Sequence, residues 1–172
     1  MYRNEKDRTG RASKAGALAE DCFKNSIDGF FDSDIHLTGV DNGQFDAIDF
    51  KCNLKMNIDV KSRKDPSSIW IEFKNINGYD GWLYGRATHF AFEREHDFII
   101  VSKLDLIRLV NEIVDKNTIV DSPADCMYKM YSRKKYGRED LLTKIRPDDL
   151  TGIPHMTISK QVARSEDSSL FL

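Results

Sequence analysis

No apolar run in the sequence reaches transmembrane length and no segment has the hydrophobic core of a secretory leader, so the expectation is an intracellular, cytoplasmic protein without a membrane partner. Cysteine is scarce. Cys22, Cys52 and Cys126 are odd in number, widely spaced and without a CxxC pair, which argues against a disulfide framework or a structural zinc site and fits a reducing compartment. His36, His89, His96 and His155 have no metal-ligand spacing. A glycine-rich phosphate loop and a serine nucleophile elbow are also missing, which removes the chemistries that depend on them. Nor is there an excess of one charge: the formal net charge of −2 excludes a globally basic nucleic-acid binder, but leaves room for an acidic site beside local basic patches.

What is present fits one folded domain. The 172 residues are 40% hydrophobic, with ten Phe, enough to bury a core. Residues 1–12 read as a polar arm, and a helix is expected from an N-cap at Ser13 with a stripe of Ala17, Leu18, Cys22 and Phe23, ending before Gly29. Residues 45–64 (FDAIDFKCNLKMNIDVKSRK) alternate as a β-hairpin that reverses near Asn53 and Lys55. Residues 65–68 form a turn, and 69–73 read as a third strand running back along the second in a meander. After a loop at 75–81, residues 88–93 and 98–101 read as strands, and Leu104, Ile107, Val110 and Val114 mark the clearest helix. The order predicts an α/β (α+β) fold with a central mixed sheet flanked by helices. The core would occupy 13–116, a C-terminal appendage 117–164, and a tail 165–172 that is acidic and then apolar.

The hairpin carries more charge than its strands need. Asp59 and Lys61 are two apart, so both leave one face and set a carboxylate beside an ammonium, a pairing that can hold a divalent cation and steady a phosphate oxygen. Asp46, thirteen positions earlier, can converge on the same ion from the partner strand; Asp49 lies on the opposite face from Asp46 and is the fallback. Glu20 is the candidate acid from the first helix. Glu72-Phe73-Lys74 on the third strand forms a rival frame, with Asp59 as its upstream acid. Two basic clusters, Arg63 with Lys64 and Arg133-Lys134-Lys135 with Arg138, are candidate contacts to a nucleic-acid backbone.

With Glu20 on the first helix, Phe45-Asp46 opening the hairpin and Asp59-Val60-Lys61-Ser62 closing it, the chain resembles the PD-(D/E)XK nuclease superfamily over residues 13–114, with the closest look to its homing endonucleases and Holliday-junction resolvases. The residue before Asp46 is Phe where the family name has Pro, and Asp59 stands where Glu is commoner. The resemblance implies a restriction-endonuclease-like core and a Mg²⁺- or Mn²⁺-dependent DNA endonuclease. Its metal ligands would be Asp46, Asp59 and Glu20, with Lys61 as the catalytic cation. It also implies a possible homodimer, because cutting two strands needs two sites. A nuclease-like module that binds DNA or a replication or recombination protein without cutting, with the C-terminal tail as a docking motif, is the alternative.

Overall fold

The computed structural model describes residues 10–28, 38–39, 50–51, 56–134 and 137–160. Gly10 takes a left-handed backbone (φ 64°), and its carbonyl accepts the first helical hydrogen bond from the Lys14 N–H at 3.0 Å. Helix α1 therefore runs Arg11–Asp28 and begins ahead of Ser13. Its buried face is Ala19, Phe23, Ser26 and Ile27, whereas Ala17 and Leu18 of the expected stripe are exposed. Ser26 disguises this face in sequence. It sits in the core because its hydroxyl donates back to the Cys22 carbonyl at 2.8 Å.

Among the described residues, ten strands form two mixed sheets. The six-stranded sheet has the order β1 (Thr38–Gly39), β2 (Phe50–Lys51), β3 (Asn57–Lys61), β5 (His89–Glu93), β6 (Asp97–Ser102) and β10 (His155–Ser159). The four-stranded sheet has the order β4 (Ile69–Lys74), β9 (Leu141–Ile145), β8 (Lys129–Ser132) and β7 (Asp115–Val120). The hairpin is present as an antiparallel β2–β3 pair, with Phe50 opposite Ile58. The meander is not. β4 leaves the first sheet to pair antiparallel with β9, and β3 pairs in parallel with β5 instead. A parallel neighbour needs a long crossover, which the segment through β4 and the 3₁₀ turn Trp82–Tyr84 supplies. Residues 117–160, within the span expected as an appendage, give strands to both sheets: β8 and β9 beside β4, and β10 on the edge of β6.

Two cores follow from the alternation along the strands. On one face of the larger sheet, Ile58, Val60, Ala91, Phe98, Ile100 and Ile158 meet Ala19, Phe23 and Ile27 of α1. Phe23 stands edge-on to Phe98, with ring centroids 5.0 Å apart. On the other face, Phe90, Phe92, Ile99 and Val101 meet Ile71, Phe73, Met130 and Ile145 of the second sheet and Leu106, Leu109 and Val110 of helix α2 (Lys103–Ile113). Ser102 caps α2 by accepting the Asp105 N–H at 3.1 Å. Asn57, Asp59 and Lys61 share the face of β3 that looks towards the second sheet, so the polar pair stands at the junction of the two sheets.

Candidate active site

Asp59 is 3% exposed, and its Oδ1 lies 2.6 Å from the Lys61 ammonium. The strand period places the two side chains together, and burial of the carboxylate holds the lysine to it, since a buried charge needs a close partner. Lys61 is braced a second time: its Nζ lies over the Trp82 ring, 4.7 Å from the centroid, and Trp82 in turn packs edge-on against Phe90 at 4.8 Å. Lys61 lines a cleft of about 1040 Å³ together with Arg63, Lys64, Glu72, Trp82, Arg133 and Arg138, and Asp59 lies buried behind it, bonded to the Lys61 ammonium.

Glu72 reaches this cleft from the other sheet. The β4–β9 register slips between Glu72 and Lys74, a bulge that re-aims side chains locally. The chain then turns back so that the Gly81 N–H bonds the Phe73 carbonyl at 2.9 Å, and the next N–H, of Trp82, donates to the Glu72 carboxylate. Gly81 lies so close that a Cβ there would stand 2.3 Å from the Glu72 carbonyl oxygen; only glycine allows the approach. Burial pushes the Glu72 pKa above its usual value; Lys61, the Trp82 N–H and Arg133 oppose the shift, and the Asp140 charge adds to it. Lys61 therefore acts on both Asp59 and Glu72. The two frames read from the sequence meet in space, with Lys61 as their common cation and Lys74 exposed at the end of β4.

The basic clusters divide. The Arg63 backbone N–H donates to Glu93 Oε2 at 2.9 Å, and Lys160 Nζ donates to Glu93 Oε1 at 2.8 Å, so the loop after β3 is pinned to β5 with Arg63 and Lys64 on the cleft rim. Arg133 is tied to Asp140, which is 1% exposed, through an Nε–Oδ2 bond of 2.5 Å and a second contact from its terminal nitrogen. It therefore serves the fold as well as the cleft. Arg138 lines the cleft, Lys134 is exposed, and Lys135 lies outside the described residues.

Glu20 is half-buried on α1, which packs on the Ile58 and Val60 face of β3, opposite Asp59 and Lys61. Gly16, one turn earlier, lines the cleft, so α1 approaches the site around the end of β3. Asp46 and Asp49 lie outside the described residues. Among the described residues no group of three or more His, Cys, Asp and Glu is arranged to hold a metal ion, and no helix is long and apolar enough to cross a membrane.

Sequence reading did not assign Trp82, Gly81 or Asp140 to the site. Trp82 carried a weak signal as an aromatic in a glycine-flanked loop, but its partner Lys61 is named only by the fold. Asp140 carried none, because its importance comes from burial. The chain matches no known family model, no curated protein and no solved structure.

Proposed function

We propose that the chain is a metal-dependent endonuclease of the PD-(D/E)XK kind that hydrolyses phosphodiester bonds of DNA. The observation that supports the reading most is Lys61, held by the buried Asp59, in a cleft also lined by Arg63, Lys64 and Arg138 and by Glu72 from the second sheet. Carboxylates beside a fixed ammonium suit a reaction in which negative charge builds on phosphorus. Lys61 would orient the attacking water or meet that charge, and Arg63, Lys64 and Arg138 would hold the flanking phosphates. Glu72, whose proton affinity is raised, is suited to take a proton from the water. The donor set is all oxygen, which fits a hard cation. Asp59, with Asp46 as the resemblance implies, would hold Mg²⁺ or Mn²⁺, which supplies Lewis-acid activation when bound, whereas Glu20 sits with α1 on the far face of β3.

The test is incubation of the protein with supercoiled, linear, single-stranded and four-way-junction DNA in Mg²⁺ or EDTA. Cutting in Mg²⁺ alone, lost in Asp59→Ala and Lys61→Ala proteins that stay folded, is the expected result. Binding without cutting on every substrate would replace the endonuclease by a nuclease-like binding module, and an active Asp59→Ala protein would overturn the assignment of the site.

A further inference from the structure

The cleft does not end at Glu72. It continues over the outer face of the four-stranded sheet, where a solvent-facing surface would ordinarily be polar. Register sets Trp70 opposite Lys144, Glu72 opposite Leu142, and Tyr131 opposite the same Leu142, so all five side chains leave one face while Ile71 and Phe73 fill the core behind. Trp70 is half-buried, its ring 6.0 Å from that of Tyr131, with the Lys144 ammonium 4.7 Å from its centroid.

We propose that this face is a stacking platform for unpaired DNA nucleotides, with Trp70 as its anchor, so that the substrate is DNA carrying a single-stranded stretch next to the cut. The inference rests on the reading of the cleft as a nucleic-acid site and deepens it. In a duplex each base face is covered by its neighbour, so an aromatic floor has use only for bases that are unpaired; phosphates are met by charge alone. The rim has that charge in Arg63, Lys64 and Arg138. Of the acids lining the cleft, Glu93 is engaged by Lys160 and the Arg63 N–H, Asp65 by Ser67 and Ser68, and Glu95 lies 3.7 Å from the Arg63 guanidinium, while Asp148 lines it beside Pro147. Tyr131 is 7% exposed and backs the platform, so Trp70 is the ring that can meet a base; such a ring with cations beside it fits a single strand better than an acidic peptide, which would not need the ring.

Binding of the unaltered chain in EDTA, measured by fluorescence anisotropy, tests the platform without any cutting. The probes are a fluorescein-labelled 15-nucleotide DNA strand, a strand of the same length and charge with a central abasic run, and a blunt duplex. One stacked base is worth roughly 1–3 kcal/mol, so the complete strand should bind about tenfold or more tightly than the abasic one, and more tightly than the duplex. Trp70→Leu should abolish the preference for bases and leave the abasic strand within about twofold, while Trp70→Phe keeps part of the preference. Circular dichroism melting checks that both variants are folded. Equal binding of the complete and abasic strands by the unaltered chain would overturn the proposal, whatever the variants do. Base-dependent binding with no Mg²⁺-dependent cutting would remove the endonuclease reading alone, and cutting with no dependence on bases would remove the platform alone.

Discussion

Replacement of Lys61 by Met tests whether the carboxylate buried behind the cleft depends on its neighbour. Asp59 is 3% exposed and its bonded ammonium lies 2.6 Å away. Removing the cationic member of a buried pair takes away the carboxylate's counter-charge, which typically costs about 3–5 kcal/mol. The Lys61 side chain is 25% exposed, so water offsets part of the loss and about 3 kcal/mol is expected. For a chain of this length that is a fall of roughly 6–12 °C in Tm. Methionine keeps the apolar stem but loses the cation–ring contact with Trp82, worth about 0.5–2 kcal/mol, and removes the charge that most opposes the raised Glu72 pKa. The double variant Asp59→Asn, Lys61→Met separates these effects, because it removes the stranded carboxylate and nothing else relative to Lys61→Met. Differential scanning calorimetry at pH 7 should place the double variant above the single one by about half of the lost Tm. If Lys61→Met melts within 2 °C of the parent, or the double variant melts no higher than Lys61→Met, the carboxylate does not depend on that ammonium and the argument fails.

Other positions give independent tests. Gly81→Ala forces a Cβ against the Glu72 backbone and should cost at least about 2 kcal/mol in urea denaturation, whereas Gly152→Ala, which meets nothing within 4 Å, should stay within about 0.5 kcal/mol; equal effects would show that Gly81 is not under that constraint. Glu72 has a folded pKa raised above 4.5 by burial, so the folded protein holds that proton more tightly than the unfolded chain does, and ionised Glu72 detracts from stability at neutral pH. The parent should therefore gain stability relative to Glu72→Gln as pH falls through the raised pKa towards 4.5; urea midpoints that diverge in the opposite sense would contradict it. Asp65 accepts bonds from the Ser67 hydroxyl and N–H and the Ser68 hydroxyl, which hold its pKa at about 2; carbon-detected NMR titration should find it there, and a midpoint near 3.8 would mean that the turn does not form in solution. Phe23→Ala empties the centre of the contact between α1 and the six-stranded sheet and should cost about 3–5 kcal/mol.

Local signals in the sequence were faithful to local structure. The helix over Lys103–Ile113, the hairpin closing on Asn57–Lys61, the turn at 65–68 and the strands His89–Glu93 and Asp97–Ser102 all follow from periodicity and turn chemistry. The pairing of Asp59 with Lys61 was legible for the same reason, because a period of two fixes which side chains share a face. The destination of β4 was not legible. Its residues Ile69-Trp70-Ile71-Glu72-Phe73 are those of a strand, but which strand lies beside it depends on Leu141–Ile145, far along the chain, and nothing in either segment names the other. Joining neighbours in sequence into a meander follows the usual tendency, and here the crossover to β5 overrides it. The same gap hid the role of Glu72. The frame built on Glu72 has Lys74 as its cation, whereas in the fold Lys61 acts on Glu72 from a strand of the other sheet.

The pairing of β4 with β9 sets when the cleft can exist. Asp59, Lys61 and Glu72 all leave the ribosome early, but until Leu141–Ile145 follows, β4 is an open edge with no partner to fix the direction of Glu72 or to build the floor beside it. A nascent or truncated chain would thus carry every acid and base of the site, in the right order, and still have no site. The cleft waits for Leu141–Ile145 to be made, and its assembly reports that both sheets have closed on each other.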